Sequence, residues 1–284
     1  MTDSPKTDTR RPIALTIAGS DSGGGAGIQA DLKTFHRFGV FGTSAVTAVT
    51  AQNTVGVQAI HTIPLANVRH QIDSIVTDLR PAAMKTGMLA TAELVAEVAQ
   101  AIAHHGLSGY VMDPVMVATS GDRLLEADAE AALRTELMPL ATVVTPNLEE
   151  AAILVGGSVS NLEEMKEAAR TLVELGAGAA LIKGGHLHSG VSSAADDAAP
   201  TETEAVDVLW DGATERVFRH PWVDTVHTHG TGCTLSAATA AGLALGDELP
   251  EAVERAIRYV GRAIASAPGL GRGRGPVDHF ASPD

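Results

Sequence analysis

The sequence predicts an α/β protein in three layers: a mainly parallel central sheet with helices on both faces. Three observations carry this. Short, nearly continuous apolar runs such as PIALTIAG (12–19), TVVTPN (142–147) and AALIKGG (179–185) have the pattern of strands buried on both faces. Amphipathic stretches of helical period alternate with them, the order expected of a parallel sheet. The chain has 284 residues, 45% hydrophobic and 19% charged, enough for one large domain with a sizeable core. Aromatics are only 3%, so that core is aliphatic, and the abundant alanine predicts closely packed helices.

Residues 1–10 read as a disordered tail, and 11–284 as a single domain. The strand at 12–19 runs into SDSGGGAG and then a helix over 28–38, where Ile28, Leu32, Phe35 and Phe38 recur at helical spacing. TSAVTAVTAQ (43–52) and VGVQAIHTI (55–63) are β-type runs. A helix over 66–79 follows, then a short strand and turn, AAMKTGM (82–88). The helix over 91–105 has Thr91 as N-cap and Gly106 at its end. YVMDPV (110–115) is a strand, 127–140 a helix, 142–147 a strand and 149–155 a helix. The helix over 161–176 begins with Asn161 and Glu164 in capping-box spacing. After the strand at 179–185, residues 188–205 turn small, polar and acidic and read as a flexible insertion. Residues 206–223 predict a hairpin turning at Asp211-Gly212. Helices over 230–246 and 249–267 complete the chain. Gly19, Gln52, Lys85, Asp113, Asn147 and Lys183 all fall where strands end, which predicts one shared cleft.

Composition excludes several functions. A formal net charge of −14 argues against sequence-independent nucleic-acid binding, which depends on lysine and arginine. A single cysteine allows no intrachain disulfide and suits a reducing cytoplasm. The opening MTDSPKTDTRRP lacks the apolar core of a secretory signal, and no apolar run approaches the ~20 residues of a membrane span. GAGIQA (25–30) fits the short dinucleotide pattern, but no acidic residue lies between Asp31 and Asp73 to hold a ribose. The glycines then serve a tight turn or a close approach to a flat ligand. Neither G-x-x-x-x-G-K-[ST] nor G-x-S-x-G occurs.

The telling stretch is HTHGTGCTLS (227–236), which holds the only cysteine. Glycines at a helix start leave N–H groups free to surround an anion. A cysteine placed there is expected to have its pKa lowered. Cys233 is open to three readings: an inert buried residue, a zinc ligand with His227 and His229, or a group that does chemistry. MDPV (112–115) and TPNLEEA (145–151) put Asp113 and Glu150 after buried strands, where they can hold Mg²⁺ through water or serve only as a turn cap and a solvated helix residue. Lys183, in an apolar strand beside two glycines, can neutralise phosphate oxygens. Gln52 in TAQN offers an amide that donates and accepts at once, as an aminopyrimidine edge requires.

Together, AGSDSGGGAGIQADLKTF, TAVTAQNTVGV, MKTGML, MDPVMVATSGDRLL, TPNLEEA, IKGGH and HTHGTGCTLSAA resemble the bacterial hydroxymethylpyrimidine/phosphomethylpyrimidine kinases of thiamine biosynthesis over residues 12–280. The resemblance implies a ribokinase-like fold, commonly dimeric, using ATP and Mg²⁺. It implies that 4-amino-5-hydroxymethyl-2-methylpyrimidine is phosphorylated first, and then its monophosphate. Gln52 would bind the pyrimidine, with Gly19, Ala26, Asp31, Met88 and Val115 lining the pocket. Lys183 would meet the ATP phosphates, while Asp113, Asn147 and Glu150 organise Mg²⁺ and phosphate. Gly230, Thr231 and Gly232 would form the anion hole, and the Cys233 thiolate would take the hydroxymethyl proton. His227 stands where such kinases usually carry asparagine, Arg272 and Arg274 where they carry histidines, and 188–205 looks longer than usual. The alternatives are a pyridoxal kinase of the same superfamily and a non-catalytic pyrimidine sensor.

Overall fold

Strand β1 (Ile13–Asp21) is third in a nine-stranded sheet among the described residues, in the order β3-β2-β1-β4-β5-β6-β7-β8-β9. The computed structural model describes residues 11–116, 125, 127–185 and 204–284. β2 (Phe41–Asn53), β4 (Ala83–Thr86), β5 (Tyr110–Met112), β6 (Val143–Val144) and β7 (Ala180–Lys183) pair in parallel with β1 or with one another. Antiparallel strands close both ends. β3 (Gly56–Thr62) pairs with β2, and the hairpin β8 (Glu204–Trp210)/β9 (Glu215–Pro221) pairs with β7.

Successive residues on each strand point to opposite layers. Leu15, Ile17, Met84, Tyr110, Met112 and Ile182 enter one apolar cluster, packed by α2 (Leu65–Asp78), α3 (Ala92–His105), α4 (Ala127–Ala132), α5 (Leu148–Val155) and α6 (Leu162–Glu174). Ala14, Ala83, Val111, Val143 and Leu181 enter the other, beneath α1 (Gly27–Arg37), α7 (Thr231–Leu245) and α8 (Leu249–Ala265). α7 is alanine-rich and buried on nearly every side, as expected of a helix apolar all round. Its Gly242 meets α8 so closely that an added Cβ would stand 2.8 Å from the Ala252 Cβ. No helix among the described residues is long and apolar enough to cross a membrane.

Three local expectations are corrected. The helix expected over 127–140 ends as α4 at Ala132, continues as a π-turn over Leu133–Leu137 and tightens to a 3₁₀ turn at Met138–Leu140. Pro139 explains the break, because it has no N–H to donate and crowds the preceding turn. Glu204 and Ala205, expected in the flexible insertion, begin β8, where every residue from Ala205 to Leu209 is buried. The rest of that insertion and the tail at 1–10 lie outside the described residues. At α6, Asn161 caps Glu164 as expected, but the Glu164 carboxylate turns to Ser160 instead. The full capping box forms instead between Asn147 and Glu150 at α5.

Candidate active site

The C-terminal strand ends meet the N-terminus of α7, and Asp21 organises the first wall. Its carboxylate accepts N–H bonds from Gly23 (2.7 Å), Gly25 (3.0 Å) and Ala26 (2.9 Å), which fixes the glycine loop between β1 and α1. His229 Nε2 lies 2.8 Å from the same carboxylate and ties the loop to the segment before α7. Although burial raises its pKa, the bonds from His229 and the loop prevail and hold Asp21 below the usual carboxylate range. Gly230 has φ +80°, and its Cα lies so close to the Gly25 carbonyl that a Cβ would overlap it. Only glycine serves both demands.

Gly19 and Met88, two of the expected pocket residues, are in contact, since a Cβ on Gly19 would stand 2.6 Å from Met88 Cε. Ala26 sits half-buried as the N-cap of α1. Gln52 ends β2, where its backbone N–H donates to Ser22 Oγ and its carbonyl accepts from the same hydroxyl, both at 2.8 Å. Its side chain opens on a pocket of about 220 Å³ shared with Asn53, His229, Arg272 and Arg274. Val115 is half-buried and its N–H bonds the Asp113 carbonyl. Asp31 departs from expectation. It is fully buried, accepts from Thr16 Oγ1 at 2.6 Å and pairs with Lys85 Nζ at 3.3 Å. It therefore supports the site from beneath instead of lining its surface.

The second wall is a chain of alternating charges. Lys85 is fully buried between Asp31 and Asp113, with Nζ 4.0 Å from Asp113 Oδ2. Burial disfavours its charge, but the carboxylates around it outweigh burial and keep it protonated. Asp113 also accepts from Ser236 on α7 at 3.1 Å and from Lys183 Nζ at 3.3 Å. Lys183 in turn lies 3.9 Å from Glu150 Oε2. Glu150 accepts from the Asn147 N–H at 2.8 Å and donates its own N–H to Asn147 Oδ1 at 2.9 Å. Burial, reinforced by Asp113 and opposed by Lys183, pushes the Glu150 carboxyl up to about 7. A Cβ added to Gly232 would stand 3.3 Å from Lys183 Nζ and 3.9 Å from Asp113 Oδ2. Backbone donors of the α7 start, a lysine and two carboxylates thus share one spot.

Three expectations about HTHGTGC change. Cys233 occupies the third position of α7, but its thiol is pushed up, to about 11. Burial is the largest cause, Asp31 and Asp113 add to it, and Lys85 and the Gly27 N–H pull only partly back. The helix start alone would lower it; burial, with the carboxylates adding to it, reverses that. The zinc reading fails because His229 is committed to Asp21, and His227 Nδ1 accepts the Gly275 N–H at 3.2 Å. Among the described residues no three His, Cys, Asp or Glu side chains are grouped to hold a metal. His227, without a role from sequence, thus anchors the glycine-rich segment at 269–276. Asp113 and Glu150, two buried carboxylates facing one lysine, suit Mg²⁺, which keeps most of its water and needs only one or two protein carboxylates.

Asp21 and Ser236 were not assigned roles by sequence, Lys85 was placed at the cleft only by its strand end, and His229 was weighed only as a zinc ligand. Lys85 had a signal: a lysine inside an apolar strand, the argument already applied to Lys183. Asp21 had one too, as an acidic residue before three glycines, the setting of an Asx turn.

The family model described as phosphomethylpyrimidine kinase matches residues 21–278. The hydroxymethylpyrimidine/phosphomethylpyrimidine kinase of Bacillus subtilis (strain 168) is 47% identical over 268 residues, covering 94% of this chain and 94% of that protein. The solved structure of Bacillus subtilis pyridoxal kinase with ADP superposes with a TM-score of 0.86 at 40% identity, covering 96% of this chain and 98% of that one. That of phosphomethylpyrimidine kinase from Clostridium difficile 630 superposes with a TM-score of 0.77 at 38% identity, covering 89% of this chain and 100% of that one. The fold is ribokinase-like, the enzyme is a phosphotransferase, and the chain belongs to the phosphomethylpyrimidine kinase family.

Proposed function

We propose that the protein phosphorylates 4-amino-5-hydroxymethyl-2-methylpyrimidine with ATP, and then phosphorylates the monophosphate to the diphosphate, in thiamine biosynthesis. The observation that carries this is the meeting of Lys183 and Asp113 with Gly232 at the start of α7. Phosphoryl transfer asks for such a spot, where charge spread over the moving phosphoryl group is neutralised and the reactants are held in line.

In this reading Gly230 and Gly232 donate backbone N–H groups to the γ-phosphate, the Thr231 N–H being bonded to the Thr228 carbonyl at 3.2 Å, and Lys183 neutralises its oxygens. Asn147 fixes Glu150 through the capping box, and Asp113 and Glu150 hold Mg²⁺ through water. Mg²⁺, when bound, supplies charge neutralisation on the phosphates. Gln52 reads the pyrimidine edge, and Gly19, Ala26, Met88 and Val115 shape its pocket. Cys233 is the base for the hydroxymethyl proton, acting from the small thiolate fraction that a thiol near 11 leaves at neutral pH. The enzyme works in the cytoplasm as a homodimer.

A second reading, pyridoxal kinase, has one observation in its favour, the superposition on Bacillus subtilis pyridoxal kinase. Gln52 at the pocket favours the pyrimidine, because its amide satisfies a donor and an acceptor together. Steady-state kinetics with both acceptors decide between them. The proposal expects kcat/KM to be higher for the pyrimidine; a higher value for pyridoxal rejects it.

A further inference from the structure

The cleft carries positive charge that the proposed mechanism leaves unused. Arg272 and Arg274 lie after α8 in the segment anchored by His227, and both side chains are exposed. Neither guanidinium group has an ion pair or side-chain hydrogen bond among the described residues. Their backbone is nevertheless fixed. The Arg274 N–H donates to the Thr54 carbonyl at 2.9 Å, and the Gly273 N–H donates to Thr54 Oγ1 at 3.3 Å. Glycine is required at 271 and 273, where a Cβ would overlap Thr54. Two unpaired cations are thus mounted on a rigid support.

They line the pocket of about 220 Å³ whose other walls include Gln52 and His229. A water takes about 30 Å³ in the liquid, so the space admits a phosphate group. It runs from the proposed pyrimidine reader to the residue before Gly230, the first of the anion hole. The other cations nearby are already assigned or paired: Lys183 serves the γ-phosphate in the proposed reading, Lys85 pairs with Asp31, and Lys33 donates to the Gly24 carbonyl at 2.6 Å. With a formal net charge of −14 the protein as a whole repels anions, so a local basic pair is what would draw one in.

The two acceptors differ in the charge they bring. The hydroxymethyl group is neutral. A phosphate monoester carries about −1.5 to −2 at pH 7, and it must approach a γ-phosphate that is itself anionic. We infer that Arg272 and Arg274 form a subsite for the phosphate monoester of the second acceptor and set its KM. This rests on the pyrimidine-kinase reading. In the second transfer a phosphate oxygen attacks the γ-phosphorus, the bond from that phosphorus to the ADP oxygen breaks, and ADP leaves with the electron pair.

The test compares KM for the hydroxymethylpyrimidine and for its monophosphate in the wild type, in Arg272→Gln/Arg274→Gln and in Arg272→Lys/Arg274→Lys. Losing charge-assisted hydrogen bonds to phosphate is expected to raise KM for the monophosphate roughly ten- to hundredfold more than KM for the alcohol. The lysine pair is expected to restore part of the difference. Raising ionic strength is expected to increase KM for the monophosphate in the wild type and to have a weaker effect in the glutamine variant. KM values that rise by the same factor for both acceptors, or for neither, overturn the subsite. A wild type that turns over neither acceptor instead defeats the kinase reading beneath it.

Discussion

Cys233→Ala is expected to separate the two transfers. The alcohol must lose a proton as it attacks, so a base matters. The monophosphate has a second pKa of about 6 and presents a deprotonated oxygen at pH 7.5, so it needs none. Burial and the carboxylates Asp31 and Asp113 push the Cys233 thiol up to about 11. At pH 7 roughly one molecule in ten thousand then carries the thiolate. A base drawn from that minority makes kcat/KM for the alcohol climb about tenfold per pH unit between pH 7 and 9.5, while the monophosphate shows no such climb. Removing the thiol is expected to lower the first transfer by about 10²–10⁴-fold and the second by far less. The assay is ADP release with each acceptor, in wild type and variant, across that pH range. Equal losses on both acceptors, or a flat wild-type profile for the alcohol, refute the base assignment.

Gly230→Ala places a Cβ against the Gly25 carbonyl at φ +80°. The left-handed backbone alone costs about 1–2 kcal/mol, so Tm is expected to fall by several degrees and kcat with it; an unchanged Tm on calorimetry contradicts the packing described. Lys85→Met strands the buried Asp31 carboxylate, while Asp113 keeps Lys183 and Ser236, and is expected to destabilise the fold by about 3–5 kcal/mol in urea. Adding Asp31→Leu is expected to recover much of that loss, and a double variant no better than the single one opposes the pairing. Burial holds Glu150 up near 7, so its carboxyl is ionised above that pH and protonated below it. The Mg²⁺ concentration for half-maximal rate is therefore expected to rise as pH falls from 7.5 to 6, and a constant requirement removes Glu150 from the metal site.

The central strands were legible because they are buried on both faces and written almost wholly in apolar residues, as in PIALTIAG and AALIKGG. Helix ends were legible where a side chain or glycine marks them, as Thr91 and Gly106 do for α3. The break at 133–140 was not, because the apolar period continues through Pro139 while the hydrogen-bond pattern changes. At the site, strand ends were a good guide to Lys183, Asp113 and Glu150, since a parallel sheet gathers its C-terminal edges. What sequence could not supply was pairing across long separations. Asp31 with Lys85, and Asp21 with His229, lie 54 and 208 residues apart. Those pairs account for the burial of Asp31 and for the structural bond of His229, while the Cys233 thiol is raised chiefly by burial, with Asp31 and Asp113 adding to it. Local context at GTGC pointed the other way, because a helix N-terminus is visible in sequence and buried neighbours are not.

The central claim is that one cleft performs two successive phosphoryl transfers on a pyrimidine. The most direct measurement follows phosphorus by NMR while the purified enzyme acts on 4-amino-5-hydroxymethyl-2-methylpyrimidine with excess MgATP. The monophosphate is expected to appear and then decline as the diphosphate accumulates, with two ADP formed per pyrimidine. A reaction that stops at the monophosphate with one ADP, or no ADP above background in the presence of the pyrimidine, contradicts it.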